Sequence, residues 1–210
     1  PSGNFMPIRD IERLCRWCEK KGIRLLIDES FADFADKPYT LLSREFLSKY
    51  PNTSVMKSIS KSYGVPGLRL GVFASSRTAV VNLVKQNLSI WNINSFGEFF
   101  LQIIEKYLGE YRQGCVQLAS ERNRFIEKLT QIRCLTVYPS AANYVLCRVH
   151  APQTPQNLIM ELWTKHQILI KDCSHKKGFD GAPFIRLAVR DTSDNDALVR
   201  ALKKIGERCV

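Results

Sequence analysis

No stretch of the 210-residue chain is apolar for long enough to span a bilayer, which takes about 20 consecutive residues. Low-complexity tracts and internal repeats are missing too. With 45% hydrophobic residues the chain can bury a core, so disorder is not expected. No charged-then-apolar leader opens it, because Pro1-Ser2-Gly3-Asn4 reads as a turn. Acidic residues are the scarcer charge: 20 Asp and Glu stand against 31 Lys and Arg, a net charge of +11. A polyanionic partner would explain that balance. The basic residues are spread along the whole chain, however, with no aromatic-interleaved tract, so neither nucleic acid nor membrane is expected as a partner. A basic enzyme handling phosphorylated or carboxylated small molecules accounts for the charge equally well. A second cysteine pair is also lacking. Cys15 and Cys18 form a lone C-x-x-C on the apolar rhythm of a helix, so no metal site is expected. Seven cysteines, an odd number in a chain of this length, suit a reduced, cytoplasmic protein.

What is present alternates between strand and helix patterns. Ile8, Ile11, Leu14, Cys15 and Cys18 repeat at helical spacing, and Lys20-Lys21-Gly22 closes that helix. Ile23 to Ile27 reads as a buried strand ending in Asp28-Glu29-Ser30. A short helix is expected over 41–49, a strand at Ser54–Met56, a polar loop from Lys57 to Pro66, a strand over Leu68–Ala74 and a helix over Arg77–Leu88. Trp91 to Ser95 interrupts, and helices follow from about 96 to 132. The remainder reads as strands at Leu135–Val137 and Tyr144–Val149, a helix over Pro155–His166, strands at Ile168–Lys171 and Phe184–Val189, and a helix over 193–208 with Ser193 as its N-cap. The expected class is α/β, with polar residues at the carboxyl ends of strands, where open sheets bind ligands. The first part should form an α/β layer. The second, 121–210, should form a smaller α+β domain, the boundary falling within the long helices near 110–130.

The informative stretch is Ser58-Ile59-Ser60-Lys61-Ser62-Tyr63-Gly64-Val65-Pro66-Gly67-Leu68-Arg69-Leu70-Gly71. Its lysine lies among small and hydroxyl residues, glycines allow close backbone approach, and an arginine follows eight residues later. Hydroxyls, backbone N–H groups and a guanidinium fork suit a phosphate. A lysine near other cations or in a dry pocket loses its proton more easily and attacks carbonyls.

The pattern Ser-x-Ser-Lys-x-Tyr-Gly-x-x-Gly-x-Arg-x-Gly resembles the cofactor-lysine signature of fold-type I pyridoxal-phosphate (PLP) enzymes, the class I/II aminotransferases. The resemblance is closest to the branch of histidinol-phosphate aminotransferase and threonine-phosphate decarboxylase, and it runs along the chain in order. Pro1-Ser2-Gly3 is similar to the end of an Asn-Pro-x-Gly turn. Ile27 to Phe34 is similar to the strand that supplies the cofactor's aspartate. Ala141-Ala142-Asn143-Tyr144 resembles a Ser-x-Ala-Asn-Phe strand, and Lys171-Asp172-Cys173-Ser174 an Arg-Asp-Cys-Ser segment. Phe184 to Val189 resembles the strand whose arginine grips the substrate carboxylate. The implied fold is the remainder of a PLP-dependent transferase large domain over 1–120, a mostly parallel sheet with helices on both faces, plus the small C-terminal domain.

The resemblance implies roles. Lys61 would form the Schiff base and shuttle the α-proton. Asp28 would pair with the pyridine nitrogen. Ser58 and Arg69 would bind the cofactor phosphate, with Ser60 assisting. Phe31 would flank the ring, where many aminotransferases carry a tyrosine. Arg186 would hold the α-carboxylate by a bidentate bond, and Asn143 and Asn94 are substrate-side candidates. Lys57 stands four residues too early for the motif. The resemblance further implies an amino acid or phosphorylated amine and a 2-oxo acid as substrates, and a homodimer. The phenylalanine at 31 is at home among decarboxylase-like relatives, which keeps decarboxylation open beside transamination. Family members are longer at the front, so the chain is expected to be a fragment with an incomplete cofactor site. It also resembles aminotransferase domains fused behind a nucleotidyltransferase. An inactive dimerisation fragment is the non-enzyme alternative.

Overall fold

Ile11, Cys15 and Cys18 recur at intervals of four and three residues, and in the computed structural model they form the buried stripe of helix α1 (Ile8–Lys20). The structure describes residues 2–207. These divide into two compact units: residues 5–115, and residues 116 onward together with the first four positions.

In the unit of residues 5–115, β1 (Leu25–Asp28) pairs in parallel with β2 (Thr53–Ser58), and β2 pairs antiparallel with β3 (Gly71–Ser75). Strand β1 follows α1 at once, because Gly22 turns the chain at φ +66°. Helix α2 (Arg44–Lys49) is capped by Ser43, whose Oγ accepts the Phe46 N–H at 3.1 Å. Val55 of β2 packs with Ile11, Cys15, Leu41, Phe46, Leu47 and Tyr50, and Leu25 and Ile27 flank this core.

The polar loop expected from Lys57 to Pro66 is largely ordered. Lys57 and Ser58 stay in β2, because Val72 and Gly71 of β3 pair with them. A single helical turn, α3 (Ile59–Ser62), then carries Lys61. The strand expected from Leu68 starts only at Gly71, since Arg69 adopts the left-handed conformation (φ 56°, ψ 41°), which ends any extended run. Helices α4 (Thr78–Gln86), α5 (Ser95–Ile103) and α6 (Leu108–Thr130) follow. The residues of α6 from Val116 on belong to the other unit.

That second unit is built on a four-stranded antiparallel sheet in the order β4 (Leu135–Val137), β5 (Tyr144–Val149), β7 (Phe184–Ala188), β6 (Lys171–Asp172). Alternate residues Val145, Cys147, Ile185 and Leu187 are fully buried. They pack with Phe125 and Leu129 of α6, Leu158 and Leu162 of α7 (Pro155–His166), and Leu202 and Ile205 of α8 (Thr192–Gly206). The helices therefore cover one face of this sheet, and each such fully buried side chain contributes about 1.5–3 kcal/mol of transfer free energy.

Two local expectations need correction. The strand expected from Ile168 begins at Lys171, because the Ile168 N–H closes the end of α7 by donating to Leu162 O at 3.1 Å. The cap of the last helix is Asp191 and not Ser193: Asp191 Oδ1 accepts the Asp194 N–H at 2.8 Å, and the Ser193 hydroxyl donates to the same carboxylate. The far end expected for that helix, at 208, lies outside the described residues, as does Pro1 of the opening turn. Gly3 of that turn takes φ +83°, and its carbonyl accepts the Ala141 N–H at 2.9 Å. A Cβ at position 3 would fall on Ser140 Oγ, so a side chain is excluded there.

Candidate functional site

Strand β1 ends at Asp28, and the turn after it folds back on that carboxylate. The Ser30 N–H (2.9 Å) and the Ser30 hydroxyl both donate to Asp28 Oδ1. Oδ2 has no partner among the described residues and Asp28 is exposed, so this oxygen is open to a cationic or N–H donor. Ser30 is itself buried, and its Oγ accepts the Ser58 N–H at 2.9 Å. One serine thus ties the ends of β1 and β2 together, a link that the sequence reading did not single out.

Of Ser58, Ser60 and Ser62, two have occupied hydroxyls. Ser60 is buried and bonds Leu70 twice, accepting its N–H at 2.8 Å and donating to its O at 3.2 Å. Ser62 donates to Ser58 O at 3.2 Å. Of these three serines, Ser58 is the one whose hydroxyl lacks a partner among the described residues, while Ser60, expected to assist in phosphate binding, holds the segment after Arg69 against α3. Arg69 is exposed and is steadied by a 3.0 Å bond from Nη1 to Pro66 O. Its left-handed backbone is unusual for a residue other than glycine, and such outliers collect at ligand sites.

The two lysines of the stretch sit in opposite surroundings. Lys57 is nearly buried, 2.6 Å from Asp33 Oδ1 and 3.9 Å from Glu29 Oε1. Lys61 is exposed, with Nζ 5.4 Å from the centre of the Phe31 ring and no carboxylate within ion-pairing distance among the described residues. Behind Lys57 the network continues. The Tyr111 hydroxyl donates to Asp33 Oδ2 at 2.5 Å, and the Tyr111 ring stacks on Tyr63, centroids 4.0 Å apart and planes 13° apart. Burial above all, and then the Asp33 carboxylate, push the Tyr111 phenol far above its ordinary value, so it remains a proton donor. The sequence offered no signal for this pairing, whose members are 78 residues apart. Asn94, a substrate-side candidate, is a helix cap: Oδ1 accepts the Gly97 N–H at 2.9 Å and Nδ2 donates to Leu68 O at 3.0 Å.

In the second unit Arg186 lies on β7, on the sheet face turned away from the helix-covered core. Its guanidinium stacks 4.8 Å above the Tyr144 ring, which leaves the planar fork edge available. Burial raises the Tyr144 phenol, and the charge of Arg186 opposes that shift. Lys171 is the cross-strand neighbour of Arg186, so two cations share one rung. Asn143 precedes β5; its carbonyl accepts the Val189 N–H at 2.9 Å, and its side chain has no partner among the described residues.

The chemistry of these donors is specific. An amine, a carboxylate oxygen and a hydroxyl that have no partner among the described residues, with an exposed guanidinium, suit a ligand bearing a carbonyl, a protonated ring nitrogen and a phosphate.

Comparison with known proteins points the same way. The sequence profile of the family described as "Aminotransferase class I and II" matches residues 1–202. The chain is 32% identical over 205 residues to CMP-5'-(3-aminopropyl)phosphonate synthase of Streptomyces rubellomurinus, a match covering 98% of this chain and 32% of that protein. It is 35% identical over 187 residues to L-serine phosphate decarboxylase of Sulfurospirillum multivorans, covering 87% and 47% respectively. Among solved structures, the histidinol-phosphate aminotransferase of Clostridium acetobutylicum superposes with a TM-score of 0.88 at 27% identity, covering 99% of this chain and 61% of that one. The chain therefore spans about a third to a half of the length of these curated relatives.

Proposed function

Because the chain belongs to the class I and II aminotransferase family, whose cofactor is pyridoxal 5'-phosphate, we propose that it is part of an enzyme that transfers the amino group of an amino acid or phosphorylated amino compound to a 2-oxo acid. The observation that carries the reading is the contrast between the two lysines. Lys57 is held by two carboxylates, whereas Lys61, at the motif position, keeps an amine with no carboxylate partner among the described residues.

The bound cofactor supplies a carbonyl that condenses with amines and a ring that accepts electrons from the substrate α-carbon. Lys61 would be the residue that holds it covalently, and its free amine would move the proton at the substrate α-carbon. Asp28 would accept from the ring N–H and so keep that nitrogen protonated. Ser58 and Arg69 hold the phosphate; Ser60 is left out of this set because its hydroxyl is committed to Leu70. Phe31 offers a ring face and no hydroxyl. Arg186 binds the α-carboxylate through its fork, with Asn143 as a further polar contact. Lys171, beside Arg186, adds a second cation that suits a second anionic group. Phosphorylated or phosphonate compounds in the names of the relatives support such a substrate. A homodimer in the cytoplasm, with the cofactor-binding part over 1–120 and the small domain over 121–210, completes the proposal. The CMP-linked name of one relative supports a nucleotidyltransferase domain as its setting.

Decarboxylation is the second reading, favoured by Phe31 and by the serine phosphate decarboxylase relative. One experiment separates the two. O-phospho-amino acids are incubated with the PLP-loaded protein, with and without a 2-oxo acid. Transamination needs the 2-oxo acid and yields its amino acid; decarboxylation releases carbon dioxide without it. Absence of both reactions across such substrates counts against either.

A further inference from the structure

We propose that Lys57 is a positioning residue: through Asp33, Glu29 and Tyr111 it fixes the pose that the cofactor takes against Lys61. The inference rests on the reading that Lys61 carries the cofactor.

The network around Lys57 touches four of the five segments that bear a proposed cofactor residue in this unit, all but that of Arg69. Glu29 is the residue after Asp28. Asp33 lies two residues after Phe31. Lys57 immediately precedes Ser58. Tyr63 lies two residues after Lys61 and stacks on Tyr111. The ammonium, 2.6 Å from Asp33 and 3.9 Å from Glu29, joins three of these segments directly, and the fourth is reached through Tyr111, which bonds Asp33 and stacks on Tyr63.

None of the groups in this network is idle. Glu29 is buried and accepts the Leu41 N–H at 2.7 Å and the Thr40 hydroxyl at 2.8 Å. Asp33 divides its two oxygens between Lys57 and Tyr111. The side chains of Lys57 and Asp33 are 11% and 17% exposed, so water competes little for these bonds. Networks whose members are all satisfied hold one arrangement, and partly satisfied ones do not. Successive residues of a strand point to opposite faces, so pinning Lys57 on one side of β2 fixes the direction of Ser58 on the other. Pinning Asp33 likewise fixes the short turn Ala32–Phe34 that follows Phe31.

An apolar core could stabilise the same turn at least as well, because burying an ion pair carries a desolvation cost that its attraction only roughly offsets. What the charges add is direction. Lys57, Asp33 and Tyr111 restrict one another by angle as well as by distance, which suits a task of aiming neighbouring groups at a bound ring.

The test uses the complete gene product containing this chain, loaded with PLP, as wild type and as Lys57→Met, Lys57→Arg, Asp33→Asn and Tyr111→Phe. Three quantities are read: visible circular dichroism per mole of cofactor trapped on Lys61 by borohydride, cofactor affinity, and melting temperature. Visible dichroism reports the orientation of the bound ring, which a purely structural ion pair would leave unchanged. Lys57→Met should weaken cofactor binding by roughly tenfold or more, the size seen when partners behind a binding group are removed, and should change the dichroism per bound cofactor. Lys57→Arg should restore both. Tyr111→Phe, which deletes one hydroxyl and keeps the ring stack, should alter the dichroism even if Lys57→Met fails to fold. Wild-type dichroism and affinity in the folded variants, with only the melting temperature lowered, would overturn the proposal and leave the Lys61 reading intact. A wild-type protein that traps cofactor on no lysine would overturn the Lys61 reading, and this inference with it.

Discussion

The ammonium of Lys57 lies 2.6 Å from Asp33 Oδ1, a pair in which both side chains are largely buried. Lys61, four residues on, is exposed, with its Nζ over the face of Phe31 and no carboxylate within ion-pairing distance among the described residues. Identical side chains in one short stretch are thus given opposite tasks by their neighbours. One is paired with carboxylates within the fold, and the other is exposed.

Removing one partner of such a pair leaves the other buried without compensation. Lys57→Ala should destabilise the unit of residues 5–115 by about 3 kcal/mol, the low end for buried pairs because some exposure remains. A double variant, Lys57→Met with Asp33→Leu, should recover part of that loss. Urea denaturation of the wild type, Lys57→Ala, Lys57→Met, Asp33→Leu and the double variant checks this, and additive losses would show that the two residues are not coupled.

Asp28→Asn should separate function from folding. The Asn amide oxygen can still accept from Ser30, and the position is exposed, so the melting temperature should move by no more than about 2 °C. Cofactor-dependent turnover should nevertheless fall by about a hundredfold or more, since an amide cannot keep the ring nitrogen protonated. Paired melting and activity measurements decide it.

Arg186 and Lys171 should differ in what they recognise. Arg186→Lys keeps the charge and loses the fork, so kcat/KM should drop by about 10–100-fold for every amino acid substrate. Lys171→Ala should weaken phosphorylated substrates and spare those without a second anion. Equal effects of Lys171→Ala on both substrate types would remove it from the recognition of the second group.

The second unit carries its own acid-sensitive element. Glu121 is held below its ordinary 4.5 by the Arg124 guanidinium first of all, and Asp196 below its ordinary 3.8 by Lys128 and then Arg124. Arg124 reaches both carboxylates, at 2.7 and 2.8 Å, joining α6 to α8. Acids depressed in the folded state stabilise it fully above their ordinary values and lose that contribution as the pH falls through the lowered ones. Melting curves should therefore show an Arg124→Ala deficit that is constant at neutral pH and shrinks below about pH 4. A deficit that does not depend on pH would contradict the role given to these carboxylates.

Much of this was readable from one sequence where local rules act alone. Strands β4 and β5 and helix α7 fall at the expected residues, because alternation, and Thr154 capping a helix that opens with Pro155, require nothing distant. Misjudged segments depend on partners. Lys57 and Ser58 extend β2 because β3 lies beside them, and the bonds of Ser60 to Leu70 link positions ten residues apart that no spacing rule pairs. Tyr111 meets Asp33 only through the fold, so no spacing rule could pair them. Glu29 and Asp33 stood in plain view beside Asp28, yet their partner in Lys57 becomes apparent only once β1 and β2 lie in parallel.

The measurement that bears most directly on the central claim is borohydride trapping of PLP on the complete gene product, followed by peptide mapping, alongside Lys61→Ala. The account predicts one reduced adduct, on Lys61, together with a visible absorption band that Lys61→Ala abolishes. An adduct on Lys57, or a band that survives in Lys61→Ala, would contradict it.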